Sequence, residues 1–313
     1  EKQEIHGAKR SEVMYERRTV KASSGLWRME MGDCAEAIQS EPENSIDLSV
    51  YSPPFSALYT YTNSSHDMGN CKDEDEFFMQ YDYLVPELLR VTKPGRLTAV
   101  HVSQITAMNS RDGYIGLKDF RGRIIDAYNR GGWIHHGEIC IQKNPQAQAI
   151  RTKSHALLFA TLKRDSSKLR PAIGDFVLLF RKPGDNAVPV KCDISADEWI
   201  KFANPFWDDI KETETLSAIE GRDDKDEKHI CPLQLEVIHR IIRLYSNKGE
   251  TVLSPFCGIG SEGYVAITHG RKFIGMELKE SYFNAAVKNI QGAEVEANHG
   301  NLFGEQTANA ASG

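Results

Sequence analysis

The sequence predicts an α/β fold, and three observations carry the prediction. Apolar, β-branched runs of strand length alternate with stretches of helical spacing along most of the chain. The alternation opens as strand, helix and strand within residues 26–51, the signature of a βαβ unit. Late in the chain, a glycine loop closing one strand is followed about twenty residues on by an acid closing the next. At 313 residues and 40% hydrophobic content the chain can bury a sizeable core. Its net charge of -6 argues against wholesale polyanion binding but leaves room for a local basic face.

Residues 1–24 are polar and weakly periodic and read as a loosely held N-terminal lead-in. Residues 26–31 alternate like a strand, Gly32 and Asp33 break it, and residues 34–39 have helical spacing. A turn at Pro42-Glu43-Asn44 then leads into Ile46–Tyr51, a buried strand that runs into Ser52-Pro53-Pro54-Phe55. Neither proline offers an N–H and both fix φ, so the carbonyls there are presented stiffly. Taken alone, a Pro-Pro pair reads as a surface turn. Residues 56–70 are polar and aromatic and read as a loop over that strand end. A helix is expected over about 77–92, closed by Lys93-Pro94-Gly95. A strand at 96–102, a helix at 117–130 closed by Gly131-Gly132 and a strand at 133–142 follow.

Between 144 and 228 the alternation fails, apart from a strand at 176–180. Across 143–182 nine cations stand against Asp165 and Asp175, an excess of seven in an acidic chain. That is an electrostatic footprint suited to a phosphate backbone, with an ordinary solvated face as the alternative. The candidate contacts are Lys143, Asn144, Arg151, Lys153, Ser154, His155, Lys163, Arg164, Lys168 and Arg170. Alternation returns with a helix at 232–245, a strand at 250–254, a helix at 262–269, a strand at 272–276 and a helix at 281–290. The small, polar residues 291–313 read as a flexible tail.

No apolar run reaches membrane-spanning length, and the charged N-terminal residues do not read as a signal peptide, so a cytoplasmic protein is expected. The six cysteines show no CxxC pair and no companion histidine at ligand spacing, so neither a metal site nor a disulfide framework is expected.

The loop Pro255-Phe256-Cys257-Gly258-Ile259-Gly260-Ser261, set between strand and helix, lets a ligand approach the backbone closely. With Glu277 at the next strand end, it has the mechanics of an adenosine site: glycines admit the nucleoside and the carboxylate accepts the ribose hydroxyls. The absence of a third glycine and of a P-loop lysine points away from dinucleotides and from ATP.

Ser52-Pro53-Pro54-Phe55 together with Ser254-Pro255-Phe256-Cys257-Gly258-Ile259-Gly260-Ser261 resembles the S-adenosylmethionine-dependent amino-group (N4-cytosine/N6-adenine) DNA methyltransferases. The acceptor motif precedes the cofactor loop, as in the β class of that family, and the likeness runs over about residues 25–290. The resemblance implies a Rossmann-like methyltransferase fold, circularly permuted, with an inserted target-recognition region. Residues 25–143 would be the catalytic half, 144–228 the target-recognition region and 229–290 the cofactor-binding half. Ser254, Pro255, Phe256, Gly258, Gly260 and Ser261 would form the cofactor loop, with Ser254 standing where the family often has Asp. Glu277 would hold the ribose, Asp33 would reach the adenine, and His229, Cys231 and Pro232 would flank the methionine end.

The same resemblance implies a catalytic set of Ser52, Pro53, Pro54 and Phe55 and a base flipped out of DNA. Phe55 would stack on the base, while the Ser52 hydroxyl and Pro53 carbonyl accept hydrogen bonds from its amine. Ser in the first motif position favours N4 of cytosine; N6 of adenine is the alternative. RNA or protein-glutamine methylation and a non-catalytic DNA-binding regulator are further alternatives. A homodimer and a cognate restriction enzyme are partners that the resemblance allows. Two other motifs carry no weight. Cys231-Pro232 superficially resembles the nucleophile of cytosine-C5 methyltransferases but opens a helix, and Asn204-Pro205-Phe206 follows no apolar strand.

Overall fold

The computed structural model describes residues 16–54, 67–107, 109–152, 154–217 and 232–310. The first half runs β1 (Arg18–Lys21), β2 (Trp27–Met31), α1 (Cys34–Ala37), β3 (Ile46–Tyr51), α2 (Glu74–Val91), β4 (Thr92–Ser103), β5 (Ile105–Ala107), α3 (Asn109–Asp112), β6 (Gly116–Lys118), α4 (Phe120–Arg130) and β7 (Ile134–Ile141). The second runs α5 (Pro145–Thr152), α6 (Phe159–Arg164), β8 (Asp175–Arg181), α7 (Ala196–Phe202), β9 (Phe206–Trp207), α8 (Leu235–Tyr245), β10 (Thr251–Ser254), α9 (Ser261–Thr268), β11 (Lys272–Glu277) and α10 (Glu280–Ala310). No described helix is long and apolar enough to cross a membrane.

Nine strands form one mixed sheet in the order β1-β2-β11-β10-β3-β4-β8-β7-β9. The run from β2 to β4 is parallel, and β8 is antiparallel to both of its neighbours. All six β3 residues are buried because helices cover both faces of the sheet, so the polar Asp47 and Ser49 are enclosed along with Ile46, Leu48, Val50 and Tyr51. One face carries Leu48, Val50, Ala99, Val177 and Leu179 against α8, α9 and α10. The other carries Tyr51, Val100, Leu178 and Phe180 against α2 and α4. Spacing on the helices matches these faces: Val237, Ile238, Ile241 and Ile242 of α8 make one stripe, and Phe77, Tyr81, Leu84 and Leu88 of α2 another. Asp73 and Asp119 start α2 and α4 by accepting first-turn N–H groups, Glu76 at 2.9 Å and Gly122 at 2.9 Å.

The expected helix at 117–130 starts only at Phe120, residues 117 and 118 belonging to β6, and four larger departures from the sequence reading follow. Residues 18–21 of the expected lead-in form β1, which pairs antiparallel with β2. Lys93-Pro94-Gly95 does not close α2. The helix ends at Val91, β4 starts at Thr92, and a register shift between the Ile46 and Leu48 pairings absorbs the proline and Gly95, which has φ +73°. Within the expected insert 144–228, β8 is a central strand of the main sheet, paired on both sides. Strand and surrounding loops share a sequence neighbourhood but not a layer. Finally, α10 continues past Ile290. Phe283, Ala286, Ile290 and Ala293 keep its buried stripe, and Glu294 accepts the Trp27 indole N–H at 2.7 Å, so residues 291–294 are packed structure.

Candidate active site

Parallel pairing puts the carboxyl ends of β2, β11, β10 and β3 in a row. Met31 pairs with Glu277, Ser254 with Gly275, and Leu253 with Ser49, so Asp33, Glu277, Ser254 and Ser52 follow one another along one edge of the sheet. The Gly32 N–H donates to the Glu277 carbonyl at 3.0 Å, tying the first two ends together. Asp33 caps α1 through the Ala35 N–H at 2.8 Å.

In the loop after β10 the two glycines do different work. Gly258 has φ +54°, its N–H donates to Glu277 Oε2 at 2.8 Å, and a Cβ there would meet nothing within 4 Å. Gly260 has φ +90°, and a Cβ there would lie 3.0 Å from Ala286 Cα, so it is required by the packing of the loop on α10. Phe256 lies 5.7 Å, ring to ring, from Tyr51 at the end of β3. The Ser254 and Ser261 hydroxyls are buried and have no hydrogen-bond partner among the described residues. Open space above Gly258 and two unspent hydroxyls are what a polar, nucleoside-bearing ligand requires of such a loop.

Glu277 Oε1 accepts the Lys279 N–H at 2.8 Å, and burial pushes its carboxyl up to about 7, against the lowering by the Lys279 and Gly258 N–H groups. Nearby Asp67 raises it further. Glu262 in the first turn of α9 is buried and pushed up to about 8, chiefly by burial. Sequence reasoning passed over both. The one signal for Glu262 was an acid directly behind the glycine loop; for Asp67 there was none.

Ser52 is half-buried and lies against β4. Its Oγ donates to the His101 carbonyl at 3.2 Å and lies 3.3 Å from His101 Nδ1. His101 Nε2 lies 3.3 Å from Asp175 Oδ2, which pairs with Lys143 Nζ at 2.7 Å. Pro53 is buried and Pro54 half-buried. His101 was not singled out in the sequence, although a lone histidine within the apolar run of β4 was the available signal.

Lys143 is therefore a correction: it is buried, and its ammonium is committed to Asp175 and to Glu212 at 3.7 Å, so it offers no charge to a phosphate. Asn144 is also occupied, capping α5 by accepting from Gln146 at 2.9 Å and Ala147 at 3.1 Å. Ser154 accepts from Arg170 at 3.0 Å. Lys163, Arg164, Lys168 and His155 are exposed, with Lys163 over the Phe159 ring and Lys168 within 3.4 Å of Asp165. Pro232 is half-buried just before α8. Phe55, Lys153, His229, Cys231 and the Arg151 side chain lie outside the described residues.

A family model described as "DNA methylase", covering the N6/N4 enzymes, matches residues 46–288. Type II methyltransferase M.BglI of Bacillus subtilis is 23% identical, over 85% of this chain and 86% of that one. Among solved structures, TTHA0409 of Thermus thermophilus complexed with S-adenosyl-L-methionine superposes with TM-score 0.63 at 22% identity, over 84% of this chain and 94% of that one. The PvuII DNA methyltransferase, cytosine-N4-specific, does so with TM-score 0.61 at 18% identity, over 87% and 92%. At those identities the two structures establish the common fold.

Proposed function

The chain belongs to the DNA methylase family of N6/N4 enzymes, and from that premise we propose that it transfers a methyl group from S-adenosyl-L-methionine to the exocyclic amine of a flipped base in DNA, N4 of cytosine favoured. One observation carries the reading: the Pro-Pro strand end and the glycine-loop strand end are hydrogen-bonded neighbours, β3 beside β10. The family's two motifs are far apart in the chain and open onto one crevice. Their order, acceptor motif first, supports the circularly permuted arrangement.

Glu277 would take the ribose, Asp33 the adenine, and the loop Ser254–Ser261 the remainder, with Pro232, His229 and Cys231 on the methionine side. When bound, the sulfonium cofactor supplies an activated methyl group. The chain's own task is placement. The Ser52 hydroxyl and Pro53 carbonyl accept from the target amine and aim its lone pair, while Phe55 stacks on the base. Ser52 at the head of the motif favours cytosine; N6 of adenine is the second reading within the family. Exposed Lys163, Arg164 and Lys168 support a phosphate-facing role for part of 144–228, outside β8.

Incubating the protein with duplex DNA and S-adenosyl-L-methionine, then quantifying modified nucleosides by mass spectrometry, tests this. N4-methylcytosine is the expected product. N6-methyladenine alone would overturn the base assignment, and no methylated base at all would overturn the reading.

A further inference from the structure

Along the face of the sheet covered by α8, α9 and α10, apolar residues give way to polar ones as the strands reach the crevice. Val50 is followed two residues on by Ser52, Ala99 by His101, and Ile141 by Lys143, while Val177 is preceded by Asp175. Strand register brings them together: Tyr51 pairs with Val100, Val177 with His101, and Asp175 with Ile141. The result is a continuous line running inward from half-buried Ser52, Ser52 Oγ to His101 Nδ1 (3.3 Å), His101 Nε2 to Asp175 Oδ2 (3.3 Å), and Asp175 Oδ2 to Lys143 Nζ (2.7 Å).

A buried ion pair on an apolar face is a poor stabiliser, since apolar side chains of like volume do as well or better. What distinguishes this pair is its direction. Asp175 is an anion, held well below the usual carboxylate range by His101 and Lys143 against the opposing effect of burial. It takes the proton of Nε2, so Nδ1 faces Ser52 as an acceptor. The ammonium of Lys143 is shared between Asp175 at 2.7 Å and Glu212 at 3.7 Å.

We propose that His101 is a positioning residue and proton acceptor acting through Ser52, oriented by Asp175 and Lys143. The proposal rests on the methyl-transfer reading above. The Ser52 hydroxyl carries one proton, shared between the His101 carbonyl at 3.2 Å and Nδ1 at 3.3 Å, and giving it to Nδ1 turns the Oγ lone pairs toward the incoming amine. As the nitrogen–methyl bond forms, the sulfur–methyl bond breaks and its electron pair stays on sulfur, leaving a neutral thioether. The amine carries one proton too many. That proton passes to Ser52 Oγ as the proton of Ser52 moves to His101 Nδ1, and the imidazolium is stabilised by Asp175 until it is released to solvent.

The test is the single-turnover methylation rate, at saturating cofactor and DNA, of the wild type and His101→Asn across pH. Asparagine can hydrogen-bond Ser52 but cannot take a proton. The wild type should show an acid limb, and the variant should lose it together with a factor on the order of 10² in rate at neutral pH, with cofactor and DNA affinity unchanged. A variant within about threefold of wild type, where 10²-fold and more is typical of acid–base groups, or one retaining the acid limb, would overturn the proposal. If His101→Asn fails to bind cofactor, Asp175→Asn decides by the same profile, and a wild type without an acid limb overturns the proposal unaided. A wild type that methylates no DNA is a different result, against the function itself.

Discussion

The ends of β3 and β10 carry the same dipeptide, Ser52-Pro53 and Ser254-Pro255, on adjacent parallel strands, yet their hydroxyls are in opposite conditions. Ser52 is connected to His101, Asp175 and Lys143. Ser254 is buried with its Oγ unpartnered among the described residues, as is Ser261 at the other end of its loop. A hydroxyl already held by the protein is prepared to orient something else. An unsatisfied buried one costs folding free energy, which a bound ligand with a matching polar group recovers. The end of β3 is thus pre-organised by the sheet, whereas the loop after β10 has hydrogen-bonding capacity to spare.

Substitutions can break that comparison. Ser52→Ala should give the largest effect: removing one placed polar group from a reacting centre costs on the order of 10²–10³ in rate. Single-turnover methylation should fall by that much while cofactor affinity, measured by calorimetry, stays at the wild-type value. Glu277→Gln should act on binding instead. Hydrogen bonds to a charged group are worth about 1.5–3 kcal/mol, so cofactor Kd should rise roughly 10- to 100-fold.

The pH dependence adds a sign to this second test. The Glu277 carboxyl lies at about 7, and donors on a ribose favour its ionised form. Cofactor affinity in the wild type should therefore weaken as pH falls below about 7 and level off above it, and a titration of Glu277→Gln should be flat over the same range. The smallest effect is expected for Ser254→Ala. Deleting an unpartnered buried hydroxyl should leave the melting temperature of the free protein unchanged or raise it, by at most about 1–3 kcal/mol of stability, while cofactor affinity falls. A clear loss of stability in the free protein would show that Ser254 is as firmly held as Ser52.

Much of this arrangement was legible in the sequence because it rests on local rules. Ile46–Tyr51 is bounded as read, since a strand-length run carrying Ile46, Leu48, Val50 and Tyr51 meets two prolines that cannot continue a sheet ladder. The glycine loop and the acid closing β11 were legible for the same reason. What escaped notice depended on partners distant in the chain. Lys143 read as part of a basic stretch, but Asp175 and Glu212 lie 32 and 69 residues further along and turn it into a buried counterion. Trp27, bonded to Glu294, likewise shows why residues beyond 290 looked like a tail: a stripe of alanine and an acid is weak locally and meaningful only against β2.

By itself the sequence determined the α/β alternation, the two motif-bearing strand ends and the order in which they occur, because hydrophobic period, proline and glycine act within a few residues. Only the tertiary structure decided that β8 belongs at the heart of the sheet and that a serine, a histidine, an aspartate and a lysine from four separate stretches form one line. Sheet register sets which side chains face one another, and register is a property of paired strands rather than of any one of them.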